Sequence, residues 1–430
     1  MELGSEFDLD FSQLTETSDT IFSYLKEFPA LYTDSGRSAL RLLSGRLAGA
    51  KILAPDYICR SVTDALPKDC KVIYYSVDRR FRIDLEQLEE LIRKHSARFL
   101  YLMYYFGPLQ PEDTRKRIAE WKEIYGLTVI EDTTHSLFTA RKTVGDYCIA
   151  SLRKWFPIPD GGVLYAGEKF PIPDGGVLYA GEKKEWVSQS PEYQESFFRF
   201  AGLLEKKSLC GKNAETLERG SGFLRDAETQ EKKPGFWKAA ETLERKPVSW
   251  KAAETLERKP VSRKAAAMIL KHLFLAEGFD CNAKYREIFA EEEESLNRQK
   301  GVYGMSVLSE FLLSHFPITP MCERRRKNAA FLSKELTRLG YDIAVKAEAP
   351  EVLLALPVYA AERDRLRERM MEQRVYCAVH WPLERPAVSG DARWMEKHMI
   401  SLPIDQRYGE EEMEYLLKCM EICKNEGMLS

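Results

Sequence analysis

The chain has 430 residues, of which 44% are hydrophobic and 30% are charged, and its formal net charge is −3 at pH 7. This balance excludes a largely disordered chain, and the length allows two domains. A net charge so close to zero gives no reason to expect a nucleic-acid or membrane-surface partner. No apolar run approaches the roughly 18 residues of a membrane span, and the acidic start, MELGSEFDLDF, does not read as a signal peptide.

The nine cysteines are spread widely along the chain. Their odd number and the lack of an export signal predict reduced thiols in a cytoplasmic protein. Cys419 and Cys423 lie one turn apart on a predicted helix, with no histidine or second cysteine pair nearby, so no metal site is predicted.

Short apolar runs alternate with helical stretches over the first part of the chain, from position 30 to about 177. Buried strands are predicted over KILAP (51–55), KVIYYSVD (71–78), RFLYLMYYFG (98–107), LTVIED (127–132) and YCIASL (147–152). Helices are predicted over LEQLEELIRKH (85–95) and DTRKRIAEWKEIYG (113–126). This alternation predicts an α/β domain with a mostly parallel sheet covered on both faces, and ligands at the carboxyl ends of its strands.

Two exact repeats interrupt the chain. FPIPDGGVLYAGEK fills 156–169 and again 170–183, and WKAAETLERKPVS fills 237–249 and again 250–262. Copies so few and so perfect indicate a recent duplication, or an error in the assembled sequence, rather than a solenoid. They are interpreted as surface insertions within a charged, helix-prone middle region.

The last part of the chain mixes helical and strand patterns. SVLSEFLLSHF and RRRKNAAFLSKELTRLG predict helices, and EVLLALPVY, RVYCAVHW and HMISLPID predict short strands. The predicted division is therefore a large α/β domain over 1–195, a helical region with the repeats over 196–300, and a small α+β domain over 301–430.

Polar residues occur where the predicted strands end. DSGRSALRLL (34–43) places hydroxyls and free backbone N–H groups at a helix start, which suits an anion but also an ordinary helix cap. VIEDTTHS (129–136) ends a buried strand with two carboxylates, and SLRK (151–154) follows the next strand. Gly161 and Gly162 would allow a tight turn near a ligand.

One cofactor would use these groups together. Pyridoxal phosphate (PLP) needs a phosphate cradle, a carboxylate beside its pyridinium nitrogen, and a lysine that forms a Schiff base. Asp132 at a strand end and Lys154 after the next strand stand in the order that this chemistry uses. Lys154 must then be partly desolvated or near positive charge, because only the neutral amine attacks a carbonyl.

The motifs SGRSAL, LAPDYICRSV, YYSVD, MYYFG, VIEDTTHS, GDYCIASLRKWFPIPDGGV and MISLPIDQRYGEEEMEYL resemble the DegT/DnrJ/EryC1/StrS aminotransferases. The resemblance implies the type I, aspartate aminotransferase-like fold of PLP-dependent transferases. It also implies a homodimer with active sites at the subunit interface. The expected reaction moves an amino group, commonly from glutamate, to a keto sugar attached to a nucleotide, in polysaccharide or amino-sugar biosynthesis.

The resemblance also implies roles for individual residues. Lys154 would be the Schiff-base lysine, Asp132 the pyridinium partner, and His135 a neighbour of the cofactor's phenolic oxygen. The phosphate would be held by Gly36, Arg37, Ser38 and Ser151. Lys169, which precedes the second repeat copy, is a weaker candidate lysine because Ala166 stands where Lys154 has Ser151.

The sequence departs from the family at three places. Its serine and lysine are three positions apart rather than five, and Tyr104 replaces a histidine. The aromatic residue that commonly stacks on the cofactor falls near Cys59, with Tyr57 as a substitute. Two alternatives stay open: a PLP-dependent sugar dehydratase, in which histidine replaces the lysine, and a non-catalytic relative that binds a ligand or partner.

Overall fold

The computed structural model describes residues 2–166, 256, 258–259, 263–384 and 388–428. The second copy of the fourteen-residue repeat, Lys169 and the first thirteen-residue copy lie outside these residues. Of the second thirteen-residue copy, only positions 256, 258 and 259 lie inside them. The interpretation of the repeats as surface insertions therefore stays a prediction.

The described strands and helices follow in chain order. The strands are β1 (Leu3–Gly4), β2 (Ala30–Thr33), β3 (Lys51–Pro55), β4 (Lys71–Tyr75), β5 (Phe99–Met103), β6 (Thr128–Asp132), β7 (Tyr147–Ser151), β8 (Gly162–Ala166), β9 (Asp342–Ile343), β10 (Leu356–Tyr359), β11 (Val375–Tyr376) and β12 (Met399–Leu402). The helices are α1 (Ile21–Tyr24), α2 (Gly36–Arg41), α3 (Ser44–Leu47), α4 (Arg60–Thr63), α5 (Leu85–His95), α6 (Glu112–Tyr125), α7 (Arg263–Glu277), α8 (Asn282–Arg298), α9 (Val307–Ser314), α10 (Ile318–Leu339), α11 (Arg363–Glu372), α12 (Gly390–His398) and α13 (Glu410–Asn425).

Seven strands form the main sheet in the order β2-β8-β7-β6-β5-β3-β4. Strands β7, β6, β5, β3 and β4 pair in parallel, whereas β8 is antiparallel to both of its neighbours. The five predicted apolar runs all form strands of this sheet, because their near-continuous apolar sequence suits burial on both faces. The mostly parallel sheet is therefore confirmed, and β2 and β8 are strands that the sequence analysis did not name.

The predicted helices of this domain are also confirmed. Helix α5 covers the predicted LEQLEELIRKH segment. It begins after Asp84, whose side chain accepts a hydrogen bond from Gln87 N at 3.0 Å, and it ends at Ser96 in the left-handed conformation (φ 49°). Within the described residues, none of the helices is both long and apolar enough to span a membrane.

A smaller antiparallel sheet of order β12-β10-β9 forms the centre of the C-terminal part. Helices α10 and α13 pack against each other beside it, and the Tyr341 hydroxyl donates to Met420 O at 2.8 Å. Cys419 and Cys423 lie on α13 and are buried in the core. Within the described residues, no group of His, Cys, Asp and Glu is placed so that it could hold a metal ion. The predicted domain boundaries stay a prediction.

The main sheet places two strand ends side by side. Strands β6 and β7 pair in parallel, with Asp132 in register with Ile149. Strand β8 returns antiparallel to β7 and begins at Gly162, opposite Ser151 and Thr33. The carboxyl ends of β6 and β7 and the start of helix α2 therefore lie at one edge of the sheet, where ligands bind in open α/β sheets.

Gly162 is required by close backbone approach. A Cβ atom at this position would lie 2.2 Å from the backbone carbon of Ser35 and 2.5 Å from Gly36 N. We predict that Gly162→Ala lowers the free energy of unfolding by about 1–3 kcal/mol, because backbone atoms cannot move aside as a flexible side chain can. Denaturant unfolding monitored by circular dichroism measures this change.

Gly45→Ala is the matched control, since a Cβ atom at Gly45 in α3 would meet nothing within 4 Å. This variant should be unchanged or more stable by about 0.5–1 kcal/mol, as for other helical glycines. Equal stability of the two variants would contradict the assigned contact between β8 and α2.

Candidate active site

Strand β6 ends in two carboxylates that face different surroundings. Glu131 is fully buried and accepts hydrogen bonds from Thr143 N at 3.0 Å, Thr143 Oγ1 at 2.9 Å and Gly145 N at 2.7 Å. It therefore fixes the backbone of the segment that leads into β7. This satisfied, buried carboxylate has a structural role, as expected for a charged group far from water.

Asp132 lies at the strand end proper and is 5% exposed. Its Oδ2 accepts a hydrogen bond from the Tyr101 hydroxyl at 2.6 Å, and its Oδ1 accepts one from Thr134 N at 2.9 Å. Both oxygens keep further acceptor capacity, because a carboxylate has about four lone-pair sites. The carboxylate is thus held in place and can still accept a bond from a cationic group of a ligand.

The turn that carries Lys154 is fixed from two directions. The 3₁₀ turn Leu152–Lys154 follows β7 directly and ends at Trp155. The Trp155 indole N–H donates to Thr134 O at 2.7 Å, which ties the turn to the end of β6. From the C-terminal part, Gln406 Nε2 donates to Trp155 O at 2.7 Å, and the Arg325 guanidinium lies 4.6 Å from the Trp155 ring centroid.

The Lys154 amine is directed at His135. Its Nζ lies 3.0 Å from Nε2 of this buried histidine. Burial lowers the pKa of Lys154, against the opposing effects of Cys59 and Asp132. Burial also lowers the pKa of His135 well below its usual range, and Lys154 adds to this effect. An amine with a depressed pKa is suited to attack a carbonyl group, because more of it is uncharged.

The predicted phosphate residues meet at the start of α2. Ser35 caps this helix by accepting a hydrogen bond from Ser38 N at 3.2 Å. A Cβ atom at Gly36 would lie 3.2 Å from the Ser151 Cβ, so the helix start contacts the end of β7. Arg37 forms an ion pair with Glu293 of α8 at 3.4 Å. The start of α2 therefore lies against the end of β7, and the role of Gly36, Arg37, Ser38 and Ser151 in holding a phosphate stays a prediction.

Arg153 adds a second guanidinium to this corner. Its Nη1 lies 3.3 Å from Glu293, which thus bridges Arg153 and Arg37. The Arg153 Nε is buried and has no hydrogen-bond partner among the described residues. Such a buried donor is costly unless a ligand or water satisfies it, so it marks a place for an acceptor.

Tyr57 lies in a buried aromatic cluster with Phe81, Tyr105 and Trp381. Its hydroxyl donates to His380 O, and its own carbonyl accepts from the Tyr105 hydroxyl at 2.6 Å. Within the cluster, the Trp381 ring stacks on His135 with centroids 5.9 Å apart and an interplanar angle of 27°. The contacts between Tyr57 and His135 therefore run through Trp381, and the ring-stacking role of Tyr57 stays a prediction.

Sequence reasoning missed several residues of the site. Phe106 and Arg153 lie within the motifs MYYFG and SLRK, and Tyr101 lies in a predicted strand, but none of them was given a role. Glu293 lies outside every motif. The roles of all four depend on contacts between distant segments. Trp381 had a partial signal, because RVYCAVHWPL supplies an aromatic residue and a histidine from the C-terminal part. Tyr104, which stands where the family has histidine, is buried and bonds through its hydroxyl to Thr143.

Comparison with known proteins places this geometry in a known fold. No family model matches the chain, and no curated protein matches it in sequence. Solved structures do match it. They include Spr1654 of Streptococcus pneumoniae, a proposed sugar aminotransferase in its pyridoxamine phosphate (PMP) form, with 12% identity and a TM-score of 0.54. The match covers 96% of this chain and 94% of that one.

Two further structures support the same assignment. PseC of Helicobacter pylori, an aminotransferase involved in the biosynthesis of pseudoaminic acid, has 13% identity and a TM-score of 0.51, over 97% of this chain and 98% of its own. A DegT/DnrJ/EryC1/StrS aminotransferase from Brucella abortus has 13% identity and a TM-score of 0.50, over 93% and 87%. At these identities the likeness establishes the fold. The predicted type I fold of PLP-dependent transferases is confirmed.

The two adjacent carboxylates of β6 should respond differently to amide substitution. In Glu131→Gln an amide NH₂ replaces one of the oxygens that face three donors, so we predict a loss of about 2 kcal/mol in the free energy of unfolding. In Asp132→Asn the remaining oxygen still accepts from Thr134 N, and the Tyr101 hydroxyl can turn to accept from the amide. For Asp132→Asn the loss in the free energy of unfolding should therefore stay below about 1 kcal/mol. Urea unfolding of both variants measures the difference, and the reverse order would refute the assigned roles.

Proposed function

We propose that the chain is a PLP-dependent aminotransferase that acts on a keto sugar. The observation that carries the proposal is the position of the Lys154 amine, 3.0 Å from the buried His135 and at the end of the strand next to Asp132. A lysine and a carboxylate on neighbouring strand ends are the two side chains that this cofactor requires. The fold, shared with solved aminotransferases, supports the same conclusion.

The residues around Arg153 fit the phosphate of this cofactor. Among the described residues of this corner, Arg37 and Arg153 pair with Glu293, Lys264 pairs with Glu6, and Lys259 pairs with the buried Asp34 beside Ser35. One positive charge is therefore in excess. Together with the buried Arg153 Nε, this excess favours a dianionic group, because guanidinium–phosphate bonds are among the stronger hydrogen bonds in proteins.

The residues around Asp132 fit the ring. When bound, PLP supplies an aldehyde that reacts reversibly with amines and a pyridinium ring that withdraws electrons from the substrate. Asp132, held by Tyr101, would accept the hydrogen bond of the protonated ring nitrogen and so stabilise its charge. Lys154 would bind the cofactor and afterwards move a proton at the substrate Cα as a general acid and base.

The finer parts of the proposal rest on the sequence resemblance. We infer glutamate as the amino donor and a nucleotide-linked keto sugar as the acceptor, in the synthesis of a polysaccharide or an amino sugar. We also propose a cytoplasmic homodimer, as in the family that the motifs resemble. A screen of amino donors against nucleotide-linked keto sugars, and sedimentation of the purified protein, would test these parts separately.

The cofactor assignment is tested by titrating the purified protein with PLP and recording its visible absorbance. We expect a saturable absorbance band in the wild type that glutamate discharges, and no such band in Lys154→Ala. Lys142→Ala is the control, because this partly buried lysine on the segment after β6 lies outside the proposed site. A wild-type protein that stays colourless, or a Lys154→Ala variant with the same band, would refute the proposal and favour a non-catalytic relative.

Tyr101 provides a second test, because it positions the proposed ring partner. Removing its hydroxyl in Tyr101→Phe deletes a 2.6 Å hydrogen bond to a charged group, which contributes about 1.5–3 kcal/mol. We predict PLP binding that is about tenfold weaker or more, measured by fluorescence titration. The control Tyr75→Phe removes a buried tyrosine hydroxyl that donates to Tyr101 O at 3.0 Å, and it should leave cofactor affinity within about twofold. Unchanged affinity in Tyr101→Phe would contradict the role of Asp132.

A further inference from the structure

The two ring nitrogens of His135 have different partners. Phe106 N–H donates a hydrogen bond to Nδ1 at 3.2 Å, and Lys154 Nζ lies 3.0 Å from Nε2. The backbone at Phe106 adopts a left-handed φ of 60°, which is uncommon for a residue with a side chain. Its carbonyl in turn accepts from Leu354 N at 2.8 Å, so both polar groups of this peptide segment are held. The Nδ1 atom of His135 must therefore carry a lone pair.

The proton of the neutral imidazole must then lie on Nε2. His135 is fully buried, and burial, together with the nearby Lys154 and His380, lowers its pKa well below the usual range. The ring is thus neutral and carries a single proton. With Nδ1 accepting from Phe106, the Nε2–H group points at the amine of Lys154.

We infer that His135 is a positioning residue that holds Lys154 as the neutral amine, by donating its Nε2–H to the Nζ lone pair. An ammonium group at this place would set two donors against each other at 3.0 Å. The alternative tautomer would relieve that conflict only by turning Nδ1–H toward Phe106 N–H, which creates a second conflict. The inference rests on the proposed function for its purpose, since the neutral amine is the form that reacts with an aldehyde.

Several other groups influence the charge on Lys154. The titratable and charged groups near its amine are Cys59, Asp132, His135, Arg153, Glu293 and His380. Burial is the largest effect and opposes the ammonium, as Arg153 also does, while Cys59 and the two carboxylates favour it. The hydrogen bond from His135 opposes the ammonium form in addition to burial. Its loss should therefore shift the balance toward the ammonium form.

The test uses the cofactor-free protein and needs no catalytic turnover. Amine acylation is measured at a series of pH values, and peptide mass spectrometry compares Lys154 with the exposed Lys334 as an internal reference. In His135→Met we expect the pH at which Lys154 labelling is half-maximal to rise. At pH values below the midpoints of both the wild type and the variant, Lys154 should then be labelled about five- to tenfold more slowly in the variant. His135→Gln should keep the wild-type midpoint, because its amide can accept from Phe106 N–H and donate to Nζ.

The results separate clearly. An unchanged midpoint in His135→Met, or a Gln variant that behaves like the Met variant, would overturn the inference. If the midpoint shifts in His135→Met but the wild-type protein does not bind PLP, the inference about His135 stands and the proposed function is refuted.

A second measurement uses the wild-type protein and therefore tests the inference even if the His135 variants do not fold. Nitrogen NMR of protein labelled in its six histidines distinguishes the tautomers, with His135 identified through the Gln variant or by its contact with Phe106. The Nε2–H tautomer is expected. An Nδ1–H tautomer or a protonated ring would overturn the inference.

Discussion

The site depends on the way that two threonines extend the pairing of β6 and β7 beyond the strands themselves. Thr133 N and its hydroxyl both donate to Ile149 O, at 2.9 and 3.1 Å. Thr134 Oγ1 accepts from Ser151 N at 3.1 Å, and Thr134 O accepts from the Trp155 indole at 2.7 Å. These four bonds hold the turn that carries the lysine against the strand that carries the carboxylate, so the separation of the two groups is set by the sheet.

Two different electrostatic environments meet at this strand end. Lys154 lies beside the buried His135, and its lowered pKa favours the uncharged amine, which avoids the cost of holding an ion away from water. At the start of α2, Arg37 and Arg153 both pair with Glu293, and the buried Asp34 pairs with Lys259, so the described residues of this corner keep positive charge for an anion. A molecule with an aldehyde at one end and a phosphate at the other matches this division. The same geometry thus explains why a basic corner and a neutral lysine lie side by side.

The sequence predicted the parts of this arrangement that depend on local pattern. Continuous apolar runs identified five strands, and the order of strand ends placed Asp132 beside the Lys154 turn. Strands β2 and β8 were missed because β2 is four residues long and the VLYA of β8 recurs in the repeat. The partners Tyr101, Phe106 and Glu293 could not be found, because their contacts join segments far apart in the chain.

The central claim is that Lys154 carries the cofactor, and the most direct measurement locates the attachment chemically. The protein is incubated with PLP, reduced with borohydride, digested and sequenced by mass spectrometry. The account predicts a phosphopyridoxyl group on the peptide that contains Lys154. Modification confined to another lysine, or to exposed lysines in proportion to their accessibility, would contradict it.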